Sequence, residues 1–351
     1  MSDISLSEST EISDAKVRAI AKRVLHGFIL ASEKAVASTA EPAVYKLAAG
    51  AQRPEQIFLS RFLSLQPAQR QAATARVMQL VKAPEATRAH YFADLAKVDL
   101  TQAKPVDELA LALPLPAAMK FTRAHLEGLR LHRELARPAG LVPQQVTDKL
   151  ELRIHKVRCV DETNPEWLGD DEIAMGGTSV DETGDSKKIA EFTVRNDFDD
   201  GEQKVYSPPK RFTMFSLREG GESWPKSYFV TLVLAEKDMG GLADFLNRLL
   251  DAVKSHVVSA LGAAIGGVIG SVGGPLAAVI GAAVGWIVGQ IFEWLRAWWS
   301  DDVFPPKTVS VSIGSLSARF AGGATDSSNQ VLRFSAHGGT YDVTYDWRVY
   351  A

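Results

Sequence analysis

The side chains best placed for chemistry in this chain are acidic. Asp161, Glu162, Glu166, Asp170, Asp171 and Glu172 crowd one predicted loop, and Asp197, Asp199 and Asp200 follow a predicted strand. Calcium binds roughly six to eight oxygens, so two acidic loops at neighbouring strand ends could share one ion. That makes Asp161, Glu162, Asp170, Asp171, Asp197, Asp199 and Asp200 a candidate Ca²⁺ set, with solvated loops as the plainer reading. The spacing matches no EF-hand. The histidines, His26, His90, His125, His132, His155, His256 and His337, follow no metal-binding spacing, and the glycine runs lack the Lys-Ser/Thr of a phosphate loop. Cys159 is the single cysteine, which excludes an internal disulfide and a thiolate metal cluster. No catalytic motif emerges, and the expectation is a protein that is not an enzyme.

Those acidic loops need strands to carry them. Residues 148–159 alternate through Leu150, Leu152 and Ile154, then shift phase at His155-Lys156 to Val157 and Cys159, which predicts a bulged strand. Further strands are expected at 188–195, 211–217, 227–235, 308–313, 330–335 and 340–349. The last alternates without a break through Tyr341, Val343, Tyr345, Trp347 and Val349, with Asp342, Thr344, Asp346 and Arg348 between them. One apolar and one polar face is the habit of antiparallel sheet, so a β-sandwich is expected over 148–351. Before it, residues 13–137 read as an α-helical domain of four to six helices. The first is capped by Ser13 and carries Val17, Ile20, Val24, Leu25 and Phe28 on one side. Residues 1–12 are expected to be a flexible tail, and the Pro/Gly-rich 138–147 a linker. The fold class is therefore α+β.

The sandwich is interrupted. Between the strands at 227–235 and 308–313 lies a helical insertion, 241–300. From Ser255 to Phe292 it contains no Asp, Glu, Lys or Arg. An amphipathic helix carrying Leu242, Phe245, Leu246, Leu249, Leu250 and Val253 leads into this stretch, which turns at Gly273-Gly274-Pro275. Gly262, Gly266 and Gly270 share one face of the outgoing arm, and Gly281, Gly285 and Gly289 one face of the return arm. Each mid-helix glycine costs roughly 1 kcal/mol relative to alanine, and close packing of the two small faces is the expected compensation. Each arm is near the length needed to cross a hydrocarbon core. Trp286, Trp294, Trp298 and Trp299 gather towards its end, as interfacial anchors do.

The hairpin with its Gly262, Gly266, Gly270 and Gly281, Gly285, Gly289 triplets resembles the hydrophobic helical hairpin of colicin-type pore-forming toxins and of glycine-zipper membrane proteins. The resemblance covers the hairpin alone. It implies insertion into a lipid bilayer, with self-association open. The alternative is a soluble structural or assembly module whose hairpin is permanently buried, as core or at a subunit interface. The net charge is −3, and no basic stripe dense enough for nucleic acid is present. The polar, acidic first residues do not read as a Sec signal peptide. Synthesis in the cytoplasm is therefore expected, with release or injection preceding any membrane association.

Overall fold

The computed structural model describes residues 4–7, 12, 14–50, 53–125, 146–163, 171–183, 185–219, 224–236, 242–265, 275–294, 303–336 and 338–351. The fold is α+β, with an N-terminal helical region followed by antiparallel strands.

The helical region is built round α1, Ala15–Ala40. Asp14 caps it in the place expected for Ser13, its carboxylate accepting from the amides of Lys16 and Val17 at 2.9 Å. From Leu25 onward α1 stops behaving as a surface helix. Phe28 to Ala37 are all buried, including Ser32, Glu33 and Lys34. A helix buried on every side needs neighbours on every side. Part of the cover comes from α2, Pro54–Ser64, α3, Pro67–Val81, α4, Glu85–Phe92, and α5, Val106–Ala112.

Nine strands are described: β1, Ile4–Ser7; β2, Lys149–Asp161; β3, Asp171–Val180; β4, Ser186–Phe198; β5, Gln203–Ser216; β6, Lys226–Glu236; β7, Lys307–Ile313; β8, Gln330–Ala336; and β9, Gly339–Tyr350. They form a five-stranded sheet in the order β1-β7-β6-β3-β4 and a four-stranded sheet in the order β5-β2-β9-β8. Leu150, Leu152 and Ile154 of β2 and Tyr341, Val343, Tyr345 and Trp347 of β9 share one core with Tyr228, Val230 and Leu232 of β6 and Val309 and Val311 of β7. The register shift expected at His155 is present against both neighbours of β2, between Ile154 and Lys156.

Two strands were not expected. The tail predicted over 1–12 contains β1, which pairs antiparallel with β7 and buries Ile4. Residues 171–172, expected in an acidic loop, open β3. Its Gly176-Gly177 pair breaks the apolar alternation, so periodicity misses it. A Cβ on Gly177 would lie 2.1 Å from the Thr231 carbonyl oxygen of β6. Only glycine allows the two strands to approach so closely.

The insertion forms two helices, α6, Leu242–Ile265, and α7, Pro275–Trp294. As expected, the amphipathic segment runs without interruption into the first arm.

Candidate functional site: the seat of the hairpin

The hairpin is the middle layer of the molecule. On one side lies α1, and on the other the outer face of the five-stranded sheet. Phe245, Leu249, Leu250, Val253, Val257 and Leu261 of α6 join Ala283, Val284, Ile287, Val288 and Ile291 of α7 in a single core. That core also takes in Phe28, Ala31, Ala35 and Val36 of α1, and Val180, Phe229, Val233 and Ala235 of the sheet. Val284, Ile287 and Val288 of the return arm are fully buried, as are Leu249 and Val253 of α6.

Strand β6 explains how the sheet seats the hairpin. Its alternate residues Tyr228, Val230, Leu232 and Leu234 point into the sandwich, while Phe229, Val233 and Ala235 point to the helices. A strand apolar on both faces is covered on both faces. That signal was legible in the segment Tyr-Phe-Val-Thr-Leu-Val-Leu-Ala and locates the cover the alternation alone did not.

Polar contacts fasten the edges of the seat. Arg248 reaches the Ser60 hydroxyl of α2 at 3.3 Å, and the Phe121 amide donates to the Ala264 carbonyl at 2.9 Å. Asp251 accepts from Ser186, and Lys254 pairs with Asp185, beside β4. His256, at the start of the charge-free stretch, packs edge-on against Phe28 with ring centroids 5.0 Å apart. Its Nδ1 is 2.7 Å from the Ala252 carbonyl, and its Nε2 is 3.4 Å from Asp107 Oδ2, which also meets Arg53 at 3.1 Å. Burial opposes ionisation of Asp107, but the facing imidazole and guanidinium outweigh it and hold the carboxyl below the ordinary carboxylate range. With Nδ1 committed to a backbone carbonyl and Nε2 facing a carboxylate, neither nitrogen is left to activate a hydroxyl. The pair does not form a Ser-His-Asp relay.

Beside this pair an apolar cavity of about 50 Å³ lies under Val24, Phe28, Leu95, Leu111, Leu115 and Ala260. It shares Pro54, Asp107 and His256 with a wider cleft of about 560 Å³ that also meets Gly50, Arg53, Asp251 and Ser255.

A third polar group in the seat is Glu33, which meets the end of the return arm. It is buried, and neither of its oxygens has a hydrogen-bond partner among the described residues. Burial pushes its carboxyl up to about 7, against the Arg76 charge and the nearby Trp294 indole N–H, which forms no hydrogen bond of normal geometry. The neighbouring charges in the helical region are better served. Lys34 donates to the Gln102 and Lys104 carbonyls at 2.7 and 2.5 Å, and Glu55 accepts from the Val106 amide at 2.6 Å. No sequence pattern distinguishes Glu33 from these two, because its isolation is set by the tertiary packing.

The glycines and tryptophans of the hairpin fare unevenly. Gly262 and Gly285 are buried. Gly289 does not mark a close approach, since an added Cβ would meet nothing within 4 Å. Gly281 lies on α7, with its surroundings outside the described residues, as are Gly266, Gly270 and the Gly-Gly turn. Trp286 and Trp294 pack against the protein core, where an interfacial belt was expected. Trp298 and Trp299 fall outside the described residues. Among the described residues, no helix is long and apolar enough to cross a membrane.

The two acidic loops meet, and some of their carboxylates are engaged by the protein itself. Asp200 accepts from the Glu162 amide at 2.9 Å, Asp197 pairs with Arg195 at 2.9 Å, and Arg195 also holds Glu202 at 2.7 Å. Among the described residues, no three acidic, His or Cys side chains are grouped to hold a metal. Of the residues expected to bind Ca²⁺, Asp161, Glu162, Asp197, Asp199 and Asp200 are described, and they form no such group among the described residues. Asp170 and the Asp171 side chain lie outside the described residues. No protein family, no curated protein and no solved structure matches this chain.

Proposed function

We propose that the protein is a non-enzymatic, membrane-active protein of toxin or effector type, and that this fold is its closed form, with the hairpin stowed. The observation that carries this reading is the placement of the charge-free stretch. Its described parts, on α6 and α7, lie between two covers, α1 and the five-stranded sheet, each of which buries its own apolar face on them. Opening either cover would present the arms to lipid. The polar contacts at the rim, Arg248–Ser60 and Lys254–Asp185, are exposed or half-exposed and so contribute little to holding it shut. The spanning element in this reading is the whole stretch 255–292, not either helix as it stands.

The full burial of Val284, Ile287 and Val288 favours a second reading, in which the hairpin is a permanent core that fastens the helical region to the sandwich in a soluble assembly module. Dye release from anionic liposomes between pH 5 and 8, with tryptophan emission recorded in parallel, separates the two. Release accompanied by a blue shift of the tryptophans supports insertion. Tight liposomes and unchanged emission across the whole range would leave only the permanent core.

A further inference from the structure

Glu33 sits mid-way along α1 and is 1% exposed. Both its oxygens lack a hydrogen-bond partner among the described residues, and so does the indole Nε1 of Trp294, the last residue of α7. Arg76 of α3 lies over the Trp294 ring, its guanidinium carbon 5.1 Å from the centroid. Three elements therefore meet here: α1 brings a carboxyl, α7 an indole and α3 a guanidinium. Arg76 is the one charged group that acts on Glu33 among the described residues. The flanking polar groups of α1 are engaged elsewhere, Ser32 with the Ile29 carbonyl and Lys34 with the Gln102 and Lys104 carbonyls.

A buried carboxylate without hydrogen bonds opposes the packing around it, whereas the neutral acid is tolerated. We propose that Glu33 is a proton-operated latch on the return arm: protonated, it lets the end of α7 close on α1 and α3; ionised, it loosens that contact. The consequence at a membrane rests on the stowed-hairpin reading, but the latch itself is a property of the closed form.

The direction follows from linkage. The carboxyl titrates at about 7 in the closed form, against an ordinary value of 4.5. The closed form therefore binds the proton more tightly than any form in which Glu33 meets water. Closure is strongest at and below the ordinary value, weakens as pH rises towards 7, and levels off above it. Acid locks this hairpin instead of releasing it.

Hydrogen exchange of the full chain between pH 5 and 8, corrected for intrinsic rates, tests the latch without lipid. Protection of the α7 amides should fall on the order of a hundredfold across that range, about tenfold per pH unit where the slope is full. Glu33→Gln should flatten the profile at its acid level. Arg76→Leu, which removes the one opposing charge, should deepen the loss at pH 8. A flat wild-type profile, or an unchanged slope in Glu33→Gln, would overturn the proposal. If Glu33→Gln fails to fold, the wild-type Glu33 carboxyl can be titrated by carbon NMR. A midpoint near 7 supports the latch, and an ordinary midpoint removes it. Liposomes that stay tight while the exchange profile behaves as described would sink the membrane reading and leave the latch standing.

Discussion

The two sheets of the sandwich present opposite outer faces. The five-stranded sheet turns Val180, Phe229, Val233 and Ala235 outward and is sheathed by the hairpin. The four-stranded sheet turns outward a ladder of charges. Arg211 pairs with Glu151 at 2.8 Å, Arg153 with Asp346 at 2.5 Å and with Asp326 at 2.7 Å, and Arg333 with Asp342 at 2.8 Å. At the bulge His155 reaches Asp346 at 3.1 Å. Both faces are orderly, but they are held by different physics. The first gains from removing apolar area from water and is therefore committed to a partner. The second is held by opposite charges paired along it, with Met214 and Val331 exposed between them. The hairpin is thus as necessary to the sheet as the sheet is to the hairpin, and a form with the hairpin released must find another cover for Phe229 and Val233.

The comparison is broken most severely by placing a charge in the sheathed face. Val284 is fully exposed to protein and not at all to water. Val284→Asp should cost about 3–5 kcal/mol, the range for an unpaired charge in a packed core. Urea denaturation followed by both far-UV circular dichroism and tryptophan emission checks it. Because one core joins the helices to the sheet, both probes should shift together. A shift confined to one probe would show that the hairpin is not a shared core.

The next effect belongs to the ladder, at its most buried rung. Arg153 and Asp346 are 11% and 3% exposed at their side chains, so they behave as a buried pair. Arg153→Ala leaves Asp346 facing His155 alone and should cost about 3 kcal/mol, whereas Arg153→Met with Asp346→Leu should cost much less, since the pair is removed together with its desolvation. Equal losses in the single and double variants would mean that the pair holds the sheet through something other than mutual compensation.

Much of this architecture was legible in the sequence, because it is written in period. The unbroken alternation of Tyr341 to Val349 and the phase slip at His155 gave β9 and the bulge of β2. The charge-free run gave the two arms. What period cannot encode was missed. Strand β1 has four residues, too few to show a pattern, and is ordered by pairing with β7. Strand β3 is defined by glycines that fit between β4 and β6. Composition records how many carboxylates the acidic loops hold, but not that Asp197 pairs with Arg195 or that Asp200 accepts from the Glu162 amide. Glu33 carried no signal at all. It sits among apolar residues of α1 like any solvent-facing glutamate, and only the packing of α3 and α7 isolates it.

The smallest effect expected lies at the wet end of the ladder. Arg333 is 61% exposed at its side chain and Asp342 17%, so solvent and salt screen the pair. Arg333→Ala should leave the neutral-pH denaturation midpoint within error of the wild type. Its signature is in acid. The hydrogen bond from Arg333, ahead of the cost of burial, holds the Asp342 carboxyl below the ordinary carboxylate range. A depressed carboxylate stabilises the fold above its ordinary value, and that stabilisation is lost as pH falls through the depressed one. Removing Arg333 should raise the Asp342 titration midpoint and erase this part of the acid limb, and added salt should mimic the variant. Were Arg333→Ala to destabilise at neutral pH as much as Arg153→Ala does, the outer face of the four-stranded sheet would be a covered surface like its counterpart, and the contrast between the two faces would collapse.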